Sequence, residues 1–417
     1  MAKIRGDAWK AYSYLRKEGA WVLFGRLYLL GISLVSSVIL SRILTESEYG
    51  IYKYVISVLA LSAIFALPES AHLIVRFIPQ GYANVYAQLL KQRTRYSILG
   101  CLALALYAAY EFNQSPALGY TLVGIAILYP LYFAFQLYEP LLQATIKFKT
   151  LNRIYVTKAT LQLGAVLLAY WVTQSIYVAV LAMVAAISAF NFITERRVAI
   201  EFRESSPAKA PASSGEIEKQ SLILSILSIM PIAITQIDRI LVARVIDYRA
   251  LAIFSIGLTI GTAVNSFLKP FISTINAKLV HRNLEPVHYI LVFVIGTAVG
   301  WLISLVMPEA IRSIYGQRYL QSAQYAGIIL LSMGLYLTQT LYYNNSLFNK
   351  YRSLGVIYVN NIVVPLLVLA YLLVVYLTYS TATRYMLQLA LLYPIRLSLS
   401  IAVLLLANFR RRRGFPI

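Results

Sequence analysis

Lys147 to Val156 reads KFKTLNRIYV, and 203 residues further on Lys350 to Val359 reads KYRSLGVIYV. Most of those positions match or exchange like for like, and each phrase sits between long apolar runs. A second stretch recurs at almost the same spacing. Ser41-Arg42-Ile43-Leu44 aligns with Ala243-Arg244-Val245-Ile246, and this register also pairs Ile51-Tyr52 with Ile253-Phe254, Pro68 with Pro270 and Arg76 with Lys278. Similarity between the halves of an apolar chain marks a duplicated helical bundle, the plan on which many membrane transporters are built.

Hydrophobic residues make up 59% of the 417 and mean hydropathy is +0.69, against roughly 45–50% apolar in soluble domains. The chain therefore reads as an all-α integral membrane protein. Stretches long enough to cross about 30 Å of hydrocarbon as helices fall at residues 20–44, 50–68, 95–113, 118–139, 154–173, 175–194, 220–246, 250–270, 288–308, 325–345, 355–377 and 384–407. These predict about twelve transmembrane helices in two six-helix bundles. Six spans per half bring both halves in from the same side, so the internal repeat is parallel. The expected organisation is an N-terminal lobe over residues 1–200, a Ser/Pro/Gly-containing cytoplasmic linker over 201–219, and a C-terminal lobe over 220–417. The basic N-terminal stretch MAKIRGDAWKAYSYLRK lacks a small-residue cleavage site, so no removable signal peptide is expected.

Lys and Arg are retained on the cytoplasmic side of short loops, which orients the chain. With both termini cytoplasmic, most of the 37 Lys and Arg fall in inner segments: the N-terminus, residues 76–95, 147–158, 196–219, 269–282 and 350–352, and the run Arg410 to Arg413. The outer side keeps Arg42, Lys53, Arg244, Arg249, Arg312, Arg318 and Arg384. The net charge of +21 thus records topology, and nucleic acid is not an expected partner, since no soluble domain is left to hold it. Cys101 is the single cysteine, so no internal disulfide can form. His72, His281 and His288 are too scattered for a metal site, and no cofactor is expected. No outer segment exceeds about twenty residues, in keeping with short helix connections plus one excursion. A large catalytic loop therefore has no place outside. Walker, His-Glu-x-x-His and Gly-x-Ser-x-Gly patterns are missing from the sequence. A transporter is expected rather than an enzyme.

Ser41 to Tyr52, SRILTESEYGIY, resembles the Leu-Thr/Ser-x-x-Glu-Tyr-Gly-x-Tyr element of the polysaccharide biosynthesis flippases. These form the O-antigen (Wzx-type) branch of the multidrug/oligosaccharidyl-lipid/polysaccharide exporter superfamily. The span number, half-chain repeat, mid-chain linker and short outer loops extend the resemblance over the whole length. It implies a protein of the bacterial cytoplasmic (inner) membrane that moves an undecaprenyl-diphosphate-linked oligosaccharide from the cytoplasmic to the outer leaflet by alternating access. The pathway would be one of surface polysaccharide, such as lipopolysaccharide O-antigen or exopolysaccharide. Lipid-linked oligosaccharide, membrane lipid and polysaccharide polymerase or assembly proteins are the partners it implies.

A diphosphate with attached sugars needs cations and hydrogen-bond donors along a watered path, because crossing hydrocarbon would strip its charge of solvent. Each Arg or Lys near a span centre costs about 2.5–3.5 kcal/mol on the insertion scale, so such residues face a cavity or a partner. In the seventh span Ser221, Ser225, Ser228, Thr235 and Arg239 share a helical face. In the first span Arg26, Ser33 and Ser37 do the same, and the 202-residue register superposes Arg26 on Ser228, Ser33 on Thr235 and Ser37 on Arg239. These faces are expected to line opposite walls of a central cavity, with Arg26 nearer the cytoplasm and Arg239 nearer the outside. Ser and Thr at such positions serve helix packing equally well.

Arg396, just after Pro394 in the last span, is the strongest candidate for headgroup contact, since a guanidinium fork fits phosphate oxygens. The alternative is an ion pair with Asp238 or Glu139. Asp238 itself is a candidate coupling-ion site, or else a helix anchor against Arg42 or Arg244. Gln136 and its repeat partner Gln339 suit sugar hydroxyls, as do Tyr129, Tyr132 and Gln143, although tyrosines at membrane depth are common packing residues. The competing reading is a cation-coupled small-molecule (drug) exporter of the same superfamily, which would favour acids over cations in its cavity.

Overall fold

The computed structural model describes residues 24–25, 27–205, 214–279, 286–348, 359–378 and 381–412. Arg26 and most of the second copy of the repeated phrase, Lys350 to Tyr358, lie outside these residues. Among the described residues the regular structure is all helical, as bilayer-spanning backbone requires when each span must satisfy its own hydrogen bonds. The helices are α1 (Leu27–Ile43), α2 (Glu46–Ser62), α3 (Ser70–Phe77), α4 (Asn84–Phe112), α5 (Pro116–Phe133), α6 (Tyr138–Ala144), α7 (Phe148–Thr173) and α8 (Ile176–Ser205). They continue as α9 (Ser214–Val245), α10 (Tyr248–Leu279), α11 (Pro286–Tyr315), α12 (Ser322–Leu331), α13 (Met333–Phe348), a π turn at Val359–Val363, α14 (Val364–Thr378) and α15 (Ala382–Arg412).

Among the described residues eight helical stretches are long and apolar enough to cross a membrane, and the protein is a multi-pass membrane protein. They are Glu46–Ala66, Pro116–Ala144, Ile176–Phe202, Gly215–Val245, Tyr248–Leu268, Pro286–Tyr315, Asn360–Thr378 and Ala382–Val403. α4 and α7 are as long, but cations such as Lys91, Arg93 and Arg95, or Lys149, Arg153 and Lys158, dilute their first turns. Within the stretch read as a linker, residues 201–205 close α8 and 214–219 open α9.

Packing divides the chain into two units. The first joins residues 1–36 with 62–228, and the second joins 37–61 with 229–417. α2, encoded in the first half, is therefore part of the second unit, while the opening turns of α9 belong to the first.

In the first unit α4 packs on α5, α5 on α8 and α7 on α8. α5 starts on the cap of Ser115, whose Oγ accepts the Leu118 N–H at 3.4 Å, with Pro116 at the first helical position. It ends soon after Pro130, and the break before α6 frees carbonyls that a membrane span cannot leave unpaired. Three side chains satisfy them. Arg93 Nη2 donates to the Phe133 carbonyl at 2.7 Å, Asn191 Nδ2 to the Tyr132 carbonyl at 2.8 Å, and Gln136 Nε2 to that same carbonyl at 2.7 Å. Behind the break, buried Glu195 accepts hydrogen bonds from the Tyr86 hydroxyl and from the Tyr138 N–H, the latter at 2.8 Å. Glu139 pairs with Lys158 at 3.1 Å.

In the second unit α11 lies against α12 and α13, α10 against the same two, and α14 against α15. Gly296 and Gly300 let α11 approach closely: a Cβ on Gly296 would come within 2.8 Å of the Gly334 Cα. Gly316, at φ 95°, ends α11 and returns its N–H to the Ile311 and Arg312 carbonyls, as left-handed helix ends do. The turn that follows aims Arg318 and Tyr319 at the Ser41 carbonyl.

A cationic cluster in the second unit as candidate functional site

α2 owes its start to a reciprocal cap. The Thr45 N–H and hydroxyl donate to Glu48 Oε2 at 2.9 and 2.8 Å, and the Glu48 N–H donates back to Thr45 Oγ1 at 3.3 Å. Tyr49, Tyr52 and Lys53 follow within two turns. Gly50 meets the Tyr248 carbonyl at the head of α10 with no room for a Cβ, so this glycine sets how closely α2 seats. Tyr49 is fully buried, and its hydroxyl shares a 2.8 Å hydrogen bond with Ser37 Oγ, to which the Tyr315 hydroxyl also donates at 3.4 Å. Lys53 Nζ lies 5.2 Å from the Tyr49 ring centroid and 5.9 Å from that of Tyr52. This is a cation–π arrangement inside an apolar span.

From α9, Arg239 stands within electrostatic range of both Lys53 and Tyr49. Its Nη1 donates to Gln236 Oε1 at 3.1 Å. Asp238 Oδ1 accepts the Arg239 backbone N–H at 2.8 Å rather than its guanidinium, as the 100° step between helical neighbours dictates. From α15, Arg396 lies within electrostatic range of Asp238 and of Tyr393. Asn265 of α10 holds Tyr393 by donating to its hydroxyl at 3.1 Å. Three helices of the second unit thus bring Arg239 and Arg396 within electrostatic range of one carboxylate, Asp238, with Lys53 joined to the group through Arg239 and α10 holding Tyr393 beside it. Unlike-charge neighbours lower the cost of burying a charge, but one acid cannot offset three cations.

Several other cations of this unit hold helices. Arg42 donates from Nε and Nη2 to the Ile314 and Ser313 carbonyls, both at 2.9 Å, at the end of α11, where free carbonyls attract cations. Arg249 pairs with Glu46. Arg244 Nη2 donates to the Tyr54 hydroxyl at 2.6 Å.

The remaining residues read from the sequence have separate places. Ser33 is exposed on α1 and belongs to the first unit, whereas Ser37 is buried beside Tyr49 in the second. Ser228 is buried and donates to the Ser225 carbonyl at 2.8 Å, with Ser221 and Ser225 buried above it. Exposed Thr235 bonds the Ile232 carbonyl of its own helix at 2.8 Å. Gln136 serves the α5 break. Gln339 Nε2 donates to Ser400 Oγ at 3.2 Å, and Ser400 donates to Asn360 Oδ1 at 3.0 Å, which ties α13, α15 and the π turn together. Lys53, read from the sequence as an outer cation, is the addition to the site. The Thr-x-x-Glu spacing of Thr45 and Glu48 was the signal for it, because that cap places Lys53 inside a helix.

An all-helical bundle of long apolar spans defines a multi-pass membrane protein. Solved structures share the fold. They include the eukaryotic MATE transporter AtDTX14, with a TM-score of 0.62 at 14% identity over 94% of this chain and 96% of that one. The MATE multidrug transporter DinF-BH in complex with R6G gives 0.61 at 12% identity, covering 96% of each chain. The lipid II flippase MurJ in an inward closed conformation gives 0.59 at 11%, over 96% of this chain and 88% of that one. No curated protein matches the sequence. The family described as polysaccharide biosynthesis protein matches residues 15–275, more than half of the chain, and the protein belongs to that family.

Proposed function

We propose that the protein is a flippase that carries an undecaprenyl-diphosphate-linked oligosaccharide from the cytoplasmic to the outer leaflet of a bacterial inner membrane, by alternating access. The observation that carries this reading is the excess of Lys53, Arg239 and Arg396 over Asp238 within apolar helices. Such an excess attracts the two negative charges of a diphosphate and repels a cationic drug. Arg239 and Arg396 would grip phosphate oxygens with their planar forks, and Lys53 would leave its tyrosine rings to meet the same group. MurJ, a neighbour in fold, is named a lipid II flippase. Twelve spans in two parallel repeats with cytoplasmic termini complete the proposal. Helix starts support it: α2 and α10 begin 202 residues apart, at 46 and 248, and α4 and α11 likewise, at 84 and 286. An exporter of small cations coupled to ion flow is the second reading, favoured by the Asp238 carboxylate inside the cluster and by the drug transporters among the neighbours.

The test uses cells whose surface glycan depends on this protein. Arg239→Gln, Arg396→Gln and Lys53→Gln should each lower glycan display by about ten- to a hundredfold, the loss of one charge-assisted hydrogen bond being worth about 1.5–3 kcal/mol. Asp238→Asn should leave display within about threefold, a shift of under roughly 1 kcal/mol. Wild-type display from all three well-expressed cation variants overturns the proposal. Loss of function confined to Asp238→Asn favours the exporter.

A further inference from the structure

The first unit carries a groove of about 380 Å³ that the proposed transport chemistry does not use. One side of α4 supplies Leu90, Lys91, Arg95 and Ile98, and Phe135 of the α5 break and Ala199 of α8 close it. Lys91 and Arg95 stand one turn apart, exposed, and neither has a hydrogen-bond or ion-pair partner among the described residues. A third cation is tied to the groove wall through two rings: Arg196 of α8 stacks 4.3 Å from the Phe192 ring, which meets the lining residue Phe135 edge-on at 5.1 Å. From Ile98, at the edge of the groove, α4 continues as an exposed apolar stripe, where Ile98, Leu102 and Leu106 are 55%, 55% and 75% exposed. Their four-residue spacing keeps them on one stripe.

The floor is shut. Tyr86 lines it, is itself buried, and locks its hydroxyl to the Glu195 carboxylate behind it. A lipid passing into the bundle would need a route here, whereas a lipid that stays needs only a headgroup seat and a track for its tail. Basic pockets between transmembrane helices take anionic headgroups in this way, and an arginine fork beside a lysine suits a phosphate diester.

We propose that this groove is a resident site for an anionic glycerophospholipid. Its phosphate lies among Lys91, Arg95 and Arg196, and one acyl chain runs along Ile98, Leu102 and Leu106. The inference stands apart from the transport reading, because it concerns another unit and a lipid that is not carried.

Purified full-length protein in nanodiscs of zwitterionic phosphatidylcholine, titrated with phosphatidylglycerol and read by native mass spectrometry, tests it. Phosphatidylglycerol should be retained by the wild type and held roughly thirtyfold more weakly by Lys91→Gln/Arg95→Gln, since each cation near a membrane surface contributes about a factor of five. Arg196→Gln should weaken it by about one such factor, which serves if the double variant fails to fold. Ile98→Asn, with every charge intact, should also weaken retention. A control pair at the head of α7, Lys149→Gln/Arg153→Gln, should leave it unchanged. Equal retention by wild type and the Lys91, Arg95 and Arg196 variants overturns the proposal. A loss of equal size in the control pair also overturns it, as a general surface-charge effect. So does a double variant that keeps phosphatidylglycerol but loses a polyprenyl-diphosphate probe, which would make the groove a substrate dock.

Discussion

Gly50 shows how one residue sets the geometry of a site. A methyl group there would run into the Tyr248 carbonyl, which belongs to backbone and cannot swing aside. Gly50→Ala should therefore lower stability by about 1–3 kcal/mol, the usual cost of overpacking, seen as an earlier thermal transition in detergent. Gly31→Ala is the control, since nothing lies within 4 Å of a Cβ added there. The cluster that α2 serves was partly legible in the sequence. Arg239 and Arg396 stood out because a guanidinium inside a long apolar run has no inexpensive surroundings. Lys53 did not, because a lysine in the opening turns of an apolar run looks like a loop cation. Only the cap on Thr45 and Glu48, together with the rings of Tyr49 and Tyr52, shows that its ammonium is drawn inward.

The break between α5 and α6 is the element on which the first unit depends. Its freed carbonyls are satisfied by Arg93 from α4 and Asn191 from α8, and Asn191 also accepts the Tyr138 hydroxyl at 3.0 Å. Asn191→Leu removes one of the two donors to the Tyr132 carbonyl and the acceptor of the Tyr138 hydroxyl, which keep Gln136 and Lys158 as partners, so each lost bond is worth about 0.5–1.5 kcal/mol. A fall in the thermal transition of the same order as that of Gly50→Ala is expected, with Arg93→Met similar. The double variant should cost less than the sum of the two, because both residues serve one break. Pro130 and Pro140 mark a bend in the sequence, but not which donors satisfy it, since Arg93 and Asn191 come from helices distant along the chain. For that reason Gln136 looked like a sugar ligand, whereas its amide is committed to the Tyr132 carbonyl. The long helices themselves were legible from run length. The first turns of α4 were not, because their cations belong to a helix that is polar where it starts.

Over the whole molecule, the distribution of cations predicts which ends of the helices meet the cytoplasm. In a Cys101→Ser background, Gln114→Cys and Gln174→Cys should react with a membrane-impermeant maleimide in intact cells. Lys147→Cys and Glu201→Cys should react only after permeabilisation, following the cation bias of short loops. The reverse pattern would invert the orientation and with it the direction of transport. Residues 37–61 then carry a consequence for descent. They are encoded in the first half of the gene, yet they complete the second unit, with Arg42 on the end of α11, Arg244 on Tyr54 and Gly50 on α10. Recombination at the mid-chain joint would join a foreign second half to an α2 that had never been fitted to it. Chimaeras between related genes should therefore succeed only where residues 37–61 travel with their partners, so that the two halves of the gene are bound to be inherited together.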